Sequence, residues 1–201
     1  MRKPFVSAVL AAVLLAPLAA RAEITEVGGV KFPSTLQVAG STLQLNGAGV
    51  RYKVVFKVYA AGLYLTQKAT TPEAVLAAPG PRHLQITMLR DIDANELGKL
   101  FARGMEQNAP REEFSKSISG VIRMSDIFSN RKRLVAGDSF AIEWVPGTGT
   151  VITVNGKLEG APIKEPEFYT ALMRIWFGNM PADAQLKEAL LGKAPATHNG
   201  G

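Results

Sequence analysis

Cysteine is absent from all 201 residues of the chain. That excludes a disulfide framework, a thiolate nucleophile and any zinc or iron–sulfur centre held by cysteine sulfur. Histidine is nearly absent as well: His83 and His198 are the only two, far apart along the chain. No clustered metal ligands follow from such a sequence, and neither a metal nor an organic cofactor is expected. There is no Gly-x-Ser-x-Gly elbow. Gly47-Ala48-Gly49 lacks the third glycine of a dinucleotide fingerprint and reads as a strand-edge turn. His83, beside Pro81 and Arg82, reads as a surface residue and gives a Ser-His-Asp triad little support.

Long apolar runs are missing too, with one exception at the start. Met1 to Ala22 carries Arg2 and Lys3, then an apolar stretch from Phe5 to Leu18, then the small-x-small site Ala20-Arg21-Ala22. This is the layout of a cleaved secretory signal peptide over 1–22. Ser7 and Pro17 interrupt the run, which is short of the ~20 residues that cross a bilayer. After cleavage no stable membrane span is expected. Export of a chain without thiols fits a bacterial periplasm.

The leader also inflates the charge. It takes away Arg2, Lys3 and Arg21 and no acid, so the net charge of +6 falls to +3. That is an ordinary solvated surface, and no nucleic-acid partner is expected. The one dense basic cluster, Arg131-Lys132-Arg133, reads as a solvated loop. Nearly half the residues are apolar, 47%, which argues for a folded core rather than disorder.

One domain over 23–192 is expected, with a loose tail over 193–201. From Glu23 to Thr66 the apolar residues alternate between glycine-rich turns, a β pattern. Val54 to Leu65, VVFKVYAAGLYL, reads as a buried strand in which Gly62 marks a bulge or close approach. A short helical turn opens at Thr71-Pro72, and Leu84, Ile86 and Met88 alternate as another strand. Asp93 with Glu96 forms a capping-box-like start to a helix carrying Leu97, Phe101, Met105 and Asn108. Pro110 opens a second, with Phe114, Ile118, Val121 and Ile122 on its apolar side. Strands return over 139–145 and 150–154, Asn155-Gly156 signals a hairpin, and helices close the domain over 166–177 and 182–191. The order reads as α+β: a large antiparallel sheet with a helical layer packed on one face.

Arg51 stands just past a glycine-rich bend, at the mouth of the apolar strand that carries Tyr59. An arginine lying beneath helices needs an anion, and a carboxylate matches its two-pronged fork. It could equally pair with a structural glutamate or lay its stem along the surface. On one straight strand the eight steps from Arg51 to Tyr59 would span ~26 Å. They meet at one ligand only if the chain bends between them, and Arg51-Tyr52-Lys53-Val54 has no glycine or proline to mark a bend. Seven helical steps separate Phe101 from Asn108, which brings both to within ~20° of the same direction. Phe101 also suits a plain core position, and Asn108, just before Ala109-Pro110, a helix C-cap.

The segments Gly47-Ala48-Gly49-Val50-Arg51, Phe56 to Leu65 and Phe101 to Asn108 (FARGMEQN) resemble the chalcone isomerase-like superfamily, and more narrowly its exported bacterial members. The resemblance runs from roughly Val27 to Leu191. It implies an open-faced β-sandwich-like fold, a large antiparallel sheet covered on one face by helices, with a ligand cleft between. Arg51 matches the cleft arginine that holds the flavonoid oxyanion in the true isomerases. Tyr59 falls where those enzymes carry a catalytic threonine, Phe101 replaces a tyrosine, and Asn108 is kept. Asp183 falls near a serine or threonine that sets substrate preference. Arg51 and Tyr59 also look like the pair that grips a carboxylate in the fatty-acid-binding branch.

Two functions follow from that resemblance. The first is an exported protein binding a small amphipathic ligand, a fatty acid or similar carboxylate. Arg51 and Tyr59 would hold the head group, Asn108 and Asp183 would stand at the same ligand, and Phe56, Leu97, Phe101, Met105 and Ile122 would line an apolar channel. The alternative is an isomerase, an intramolecular lyase acting on a chalcone-like unsaturated carbonyl compound, with Arg51, Tyr59 and Asn108 as its catalytic residues. Oligomeric state is not legible.

Overall fold

The computed structural model describes residues 23–193. The leader expected over 1–22, all but the first residue of the tail and His198 lie outside the described residues. β1 (Ile24–Val27) and β2 (Val30–Pro33) form a hairpin through Gly28-Gly29. A meander follows: β3 (Thr35–Val38), β4 (Ser41–Lys53) and β5 (Phe56–Leu65). Next come α1 (Pro72–Leu76), β6 (Arg82–Met88) and β7 (Ile92–Asp93). The long helices α2 (Ala94–Asn108) and α3 (Arg111–Ser129) lead to β8 (Arg133–Leu134), β9 (Ser139–Val145), β10 (Gly149–Val154) and β11 (Lys157–Leu158). Helices α4 (Pro166–Phe177) and α5 (Ala184–Leu190) finish the domain.

Seven strands make one antiparallel sheet in the order β11-β10-β9-β6-β5-β4-β3. The period of two along β5 divides its side chains between two cores. Tyr59, Ala61, Leu63 and Leu65 join Leu97, Phe101, Phe128, Phe168 and Trp176 beneath the helices. Ala60 and Tyr64 face the other way, into a smaller core with Phe32, Leu43 and Leu45. The helical layer therefore covers one face, as the sequence implies, and the β1–β2 hairpin covers part of the other. Gly62 marks a close approach: a Cβ there would stand 2.5 Å from the Phe32 ring.

Gly47 and Gly49 are not a strand-edge turn. Both lie inside β4, where α5 rests directly on the strand. A Cβ at Gly47 would collide with the Ala189 carbonyl oxygen, and one at Gly49 would stand 2.7 Å from the Ala189 methyl. Two glycines two residues apart clear one face of the strand for a helix, a role with no turn in it. Beside them the register shifts between Leu45 and Gly47. The buried Asn46 side chain fills the irregularity, donating to the carbonyls of Ala69 (2.8 Å) and Leu190 (2.7 Å) and accepting from Ala69 N–H.

Four further expectations need correction. The strand expected from Val54 begins at Phe56, because Val54 and Val55 form a two-residue turn between the paired residues Lys53 and Phe56. On α3 the buried positions are Ser117, Gly120, Met124 and Phe128, while Ile118 and Ile122 are exposed. The missing side chain of Gly120 lets the Phe168 ring seat there, where any Cβ would collide with it. His83 is buried rather than on the surface. Its Nδ1 lies 2.8 Å from Glu143 Oε1, and its ring meets that of Tyr64 edge-on at 5.6 Å. The basic triplet is also less free than a solvated loop: Arg131 pairs with Glu159, and Arg133 lies 3.4 Å from Asp91.

Candidate functional site, a cleft between the sheet and helix α2

The turn at Val54-Val55 folds β5 back along β4, and the register places Arg51 directly opposite Tyr59. Partners across an antiparallel pair point to the same face, so both side chains rise toward the helices. The guanidinium carbon of Arg51 sits 5.6 Å from the centre of the Tyr59 ring, within cation–π range. The bend that a straight strand could not supply is a hairpin, made by two valines.

Above this pair lies a cleft of about 150 Å³. From the sheet it is lined by Arg51 and Tyr59, from α2 by Leu97, Leu100, Phe101, Arg103, Gly104 and Gln107, from α4 by Ile175, and from the following loop by Met180, Pro181 and Ala182. Phe101 is part of its apolar wall. Its ring packs on those of Trp176 (5.7 Å), Phe128 (5.8 Å) and Phe140 (5.8 Å). The same side chain thus serves as core and as cleft lining.

Arg51 makes no ion pair among the described residues. Its Nε is buried and has no hydrogen-bond partner. A buried donor on a cation is costly to leave unpaired. Among the described residues no structural glutamate, which sequence alone allowed for, pairs with it. Tyr59 is fully buried, and its hydroxyl oxygen accepts from Trp176 Nε1–H at 2.8 Å. Among the described residues no acceptor takes the hydroxyl proton in turn. Burial raises the Tyr59 pKa to about 12, against the opposing pull of the Arg51 charge and the Trp176 bond. The phenol therefore stays protonated, a hydrogen-bond donor beside an unpaired cation.

Two other expected site residues are placed differently. Asn108 does not line the Arg51 cleft. Its Nδ2 donates to the carbonyls of Gly104 and Met180, both at 2.9 Å, and its Oδ1 accepts from Met180 N–H at 2.7 Å. Asn108 ends α2 and fastens the loop that forms the cleft lip. Asp183 caps α5, accepting at Oδ1 from the N–H groups of Gln185 (2.8 Å) and Leu186 (3.0 Å). Its Oδ2 accepts from Tyr52 N–H at 2.8 Å, tying the base of the β4–β5 hairpin to that helix. Both side chains position the site through backbone groups.

Of the residues expected along an apolar channel, Leu97 and Phe101 line the cleft. Phe56 and Ile122 are exposed, and Met105 is buried outside it. Sequence reasoning missed Arg103 and Gln107, polar cleft residues whose spacing with Leu97, Leu100 and Gly104 marks one helix face. It also missed Trp176, whose Nε1–H bond to the Tyr59 hydroxyl has no signal in the local sequence.

The profile of a family described as chalcone isomerase-like matches residues 24–192. Among curated proteins, none matches the sequence. Among solved structures, a fatty-acid binding protein of Arabidopsis thaliana superposes with a TM-score of 0.60 at 14% identity, covering 82% of this chain and 92% of the plant protein. At that identity the likeness is one of fold.

Proposed function

The chain belongs to the chalcone isomerase-like family, and we propose that it is an exported binding protein for a fatty acid or similar amphipathic carboxylate. The observation that carries this reading is Arg51, a cation at the floor of a partly apolar cleft, with a buried unpaired donor and no ion-pair partner among the described residues. A carboxylate supplies that anion and can accept from the Tyr59 hydroxyl as well. Arg103 adds a second, exposed cation at the same cleft. The fatty-acid binding activity named for the plant structural relative supports the ligand class. Export rests on the leader of residues 1–22, read from sequence.

Apolar burial, at ~25 cal/mol per Å², supplies most of the affinity, and the arginine sets orientation. A cavity of this volume accommodates a benzene-sized solute. It holds the head group and the first few carbons. The rest of a long chain passes over Leu100 and Met180, or parts the 178–182 loop from α2. The isomerase alternative is weaker. Phe101 brings no hydroxyl to the cleft, and the Asn108 amide is engaged by backbone.

Native mass spectrometry of residues 23–201, beside a fatty-acid titration of wild type and Arg51→Ala, tests the reading. Co-purified lipid and a tenfold or greater loss in the variant are expected. An empty protein whose titration is unchanged by Arg51→Ala would refute it. Turnover of a chalcone that is lost in Arg51→Ala would favour the isomerase.

A further inference from the structure

The hairpin that aligns Arg51 with Tyr59 continues past them into solvent. At its tip Val54, Val55 and Phe56 are 89%, 76% and 59% exposed, with Tyr52 part-exposed at the base. Three consecutive large apolar residues on a protruding turn are an anomaly for a soluble surface. They are not a requirement of the turn itself. Val54 has φ +56°, the left-handed region that β-branched residues avoid, while Val55 does not share a positive φ. A two-residue hairpin with positive φ only at its first position is the type that favours glycine there. The chain holds a valine where glycine would relieve strain and a polar residue would dissolve better.

The tip is ringed by positive charge. Lys53 and Lys57 flank it on the two strands, and the Arg90 guanidinium carbon lies 5.3 Å from the Phe56 ring centre. All three are exposed, and none makes an ion pair among the described residues. Apolar side chains at the end of a rigid protrusion, with unpaired cations just behind them, match the layering of an anionic bilayer: acyl region at the tip, headgroups at the cations.

We propose that the β4–β5 hairpin tip docks the protein onto an anionic lipid surface. Arg51 and Tyr59 lie three residues behind the tip on either strand, ~10 Å along it. Docking therefore brings the cleft and its exposed lip residue Met180 to the membrane, and the carboxylate ligand is drawn from the bilayer rather than from solution. The Asp183 bond to Tyr52 N–H holds the hairpin base to α5, so the tip is presented on a fixed stem. The docking step stands on the exposed tip and its charges; the transfer step rests on the proposed carboxylate site.

The test is co-sedimentation of residues 23–201 with vesicles of phosphatidylcholine alone and of phosphatidylcholine mixed with phosphatidylglycerol. Wild type should bind the anionic vesicles, with roughly fivefold loss for each of Lys53→Gln and Lys57→Gln and release at high salt. Val54→Gly combined with Val55→Asn keeps the turn and removes the wedge. It should lose tenfold or more in vesicle affinity while titrating with fatty acid in solution as wild type does. Equal sedimentation of wild type and this variant, no preference for anionic vesicles, or a wild-type dimer dispersed by the variant without vesicle binding would each overturn docking. If vesicle binding depends on the tip but no fatty acid binds in solution, docking stands and the carboxylate reading fails.

Discussion

Arg51 and Tyr59 face one another across the β4–β5 pair with the guanidinium 5.6 Å from the ring centre, and the pair presents two donors to one cleft with no acceptor between them among the described residues. Trp176 fixes the phenol from the far side through its Nε1–H, at 2.8 Å. The indole thus orients the hydroxyl oxygen and leaves its proton without an acceptor among the described residues.

Tyr59→Phe removes a cleft donor and also strands the buried Trp176 N–H. It should destabilise the fold by about 1–3 kcal/mol, the penalty of an unsatisfied buried donor, as read by denaturant unfolding. Trp176→Phe removes the same bond but leaves the Tyr59 hydroxyl in place. Fatty-acid affinity should therefore fall further in Tyr59→Phe than in Trp176→Phe. The reverse order would mean that the hydroxyl serves packing alone.

Alkaline pH should unfold the protein through its buried phenols. Folded Tyr59 keeps its proton to about pH 12, while in the unfolded chain a tyrosine releases it near pH 10.0. Between those values the unfolded state binds fewer protons, so stability falls as pH rises. The contribution is fully present below pH 10 and disappears through pH 12, about 3 kcal/mol for Tyr59. Burial raises Tyr64 and Tyr169 in the same direction. Urea midpoints measured across this range should drop steeply, and less so in Tyr59→Phe.

Asn108→Ala should act on the cleft lip rather than on the ligand. It breaks the bonds to Gly104 and Met180 and should lower stability by about 2 kcal/mol. The loop over 178–182 should exchange its amide hydrogens faster, and ligand affinity should fall less than in Arg51→Ala. An affinity loss equal to that of Arg51→Ala, with unchanged stability, would place Asn108 at the ligand.

Sheet, helices and their order were readable because alternation in β5 and helical spacing in α2 are strong periodic signals. Arg51 was readable too, as a cation in an apolar neighbourhood. Its pairing with Tyr59 was not, since the turn between them is made of Val54 and Val55, residues that signal strand. Gly47 and Gly49 misled for the opposite reason: glycine signals a turn, and here it makes room for α5 on an unbroken strand. Asn108 shares the Phe101 direction on paper. As the last residue of α2 its side chain reaches the Met180 backbone instead, a contact 72 positions away in sequence. His83 sits on the strand face opposite Leu84 and Ile86, and nothing local shows that Tyr64 and Glu143 close over it.

If Arg51 holds a carboxylate, the protein distinguishes a fatty acid from the alcohol of the same chain length. Calorimetric titration of residues 23–201 should show the acid binding at least tenfold more tightly, a difference of about 1.4 kcal/mol or more. In Arg51→Ala most of that preference should disappear, because Tyr59 and the exposed Arg103 are then the only groups left in the cleft wall to hold the head group. Equal affinities for acid and alcohol in the wild-type protein, or a preference undiminished in Arg51→Ala, would contradict it.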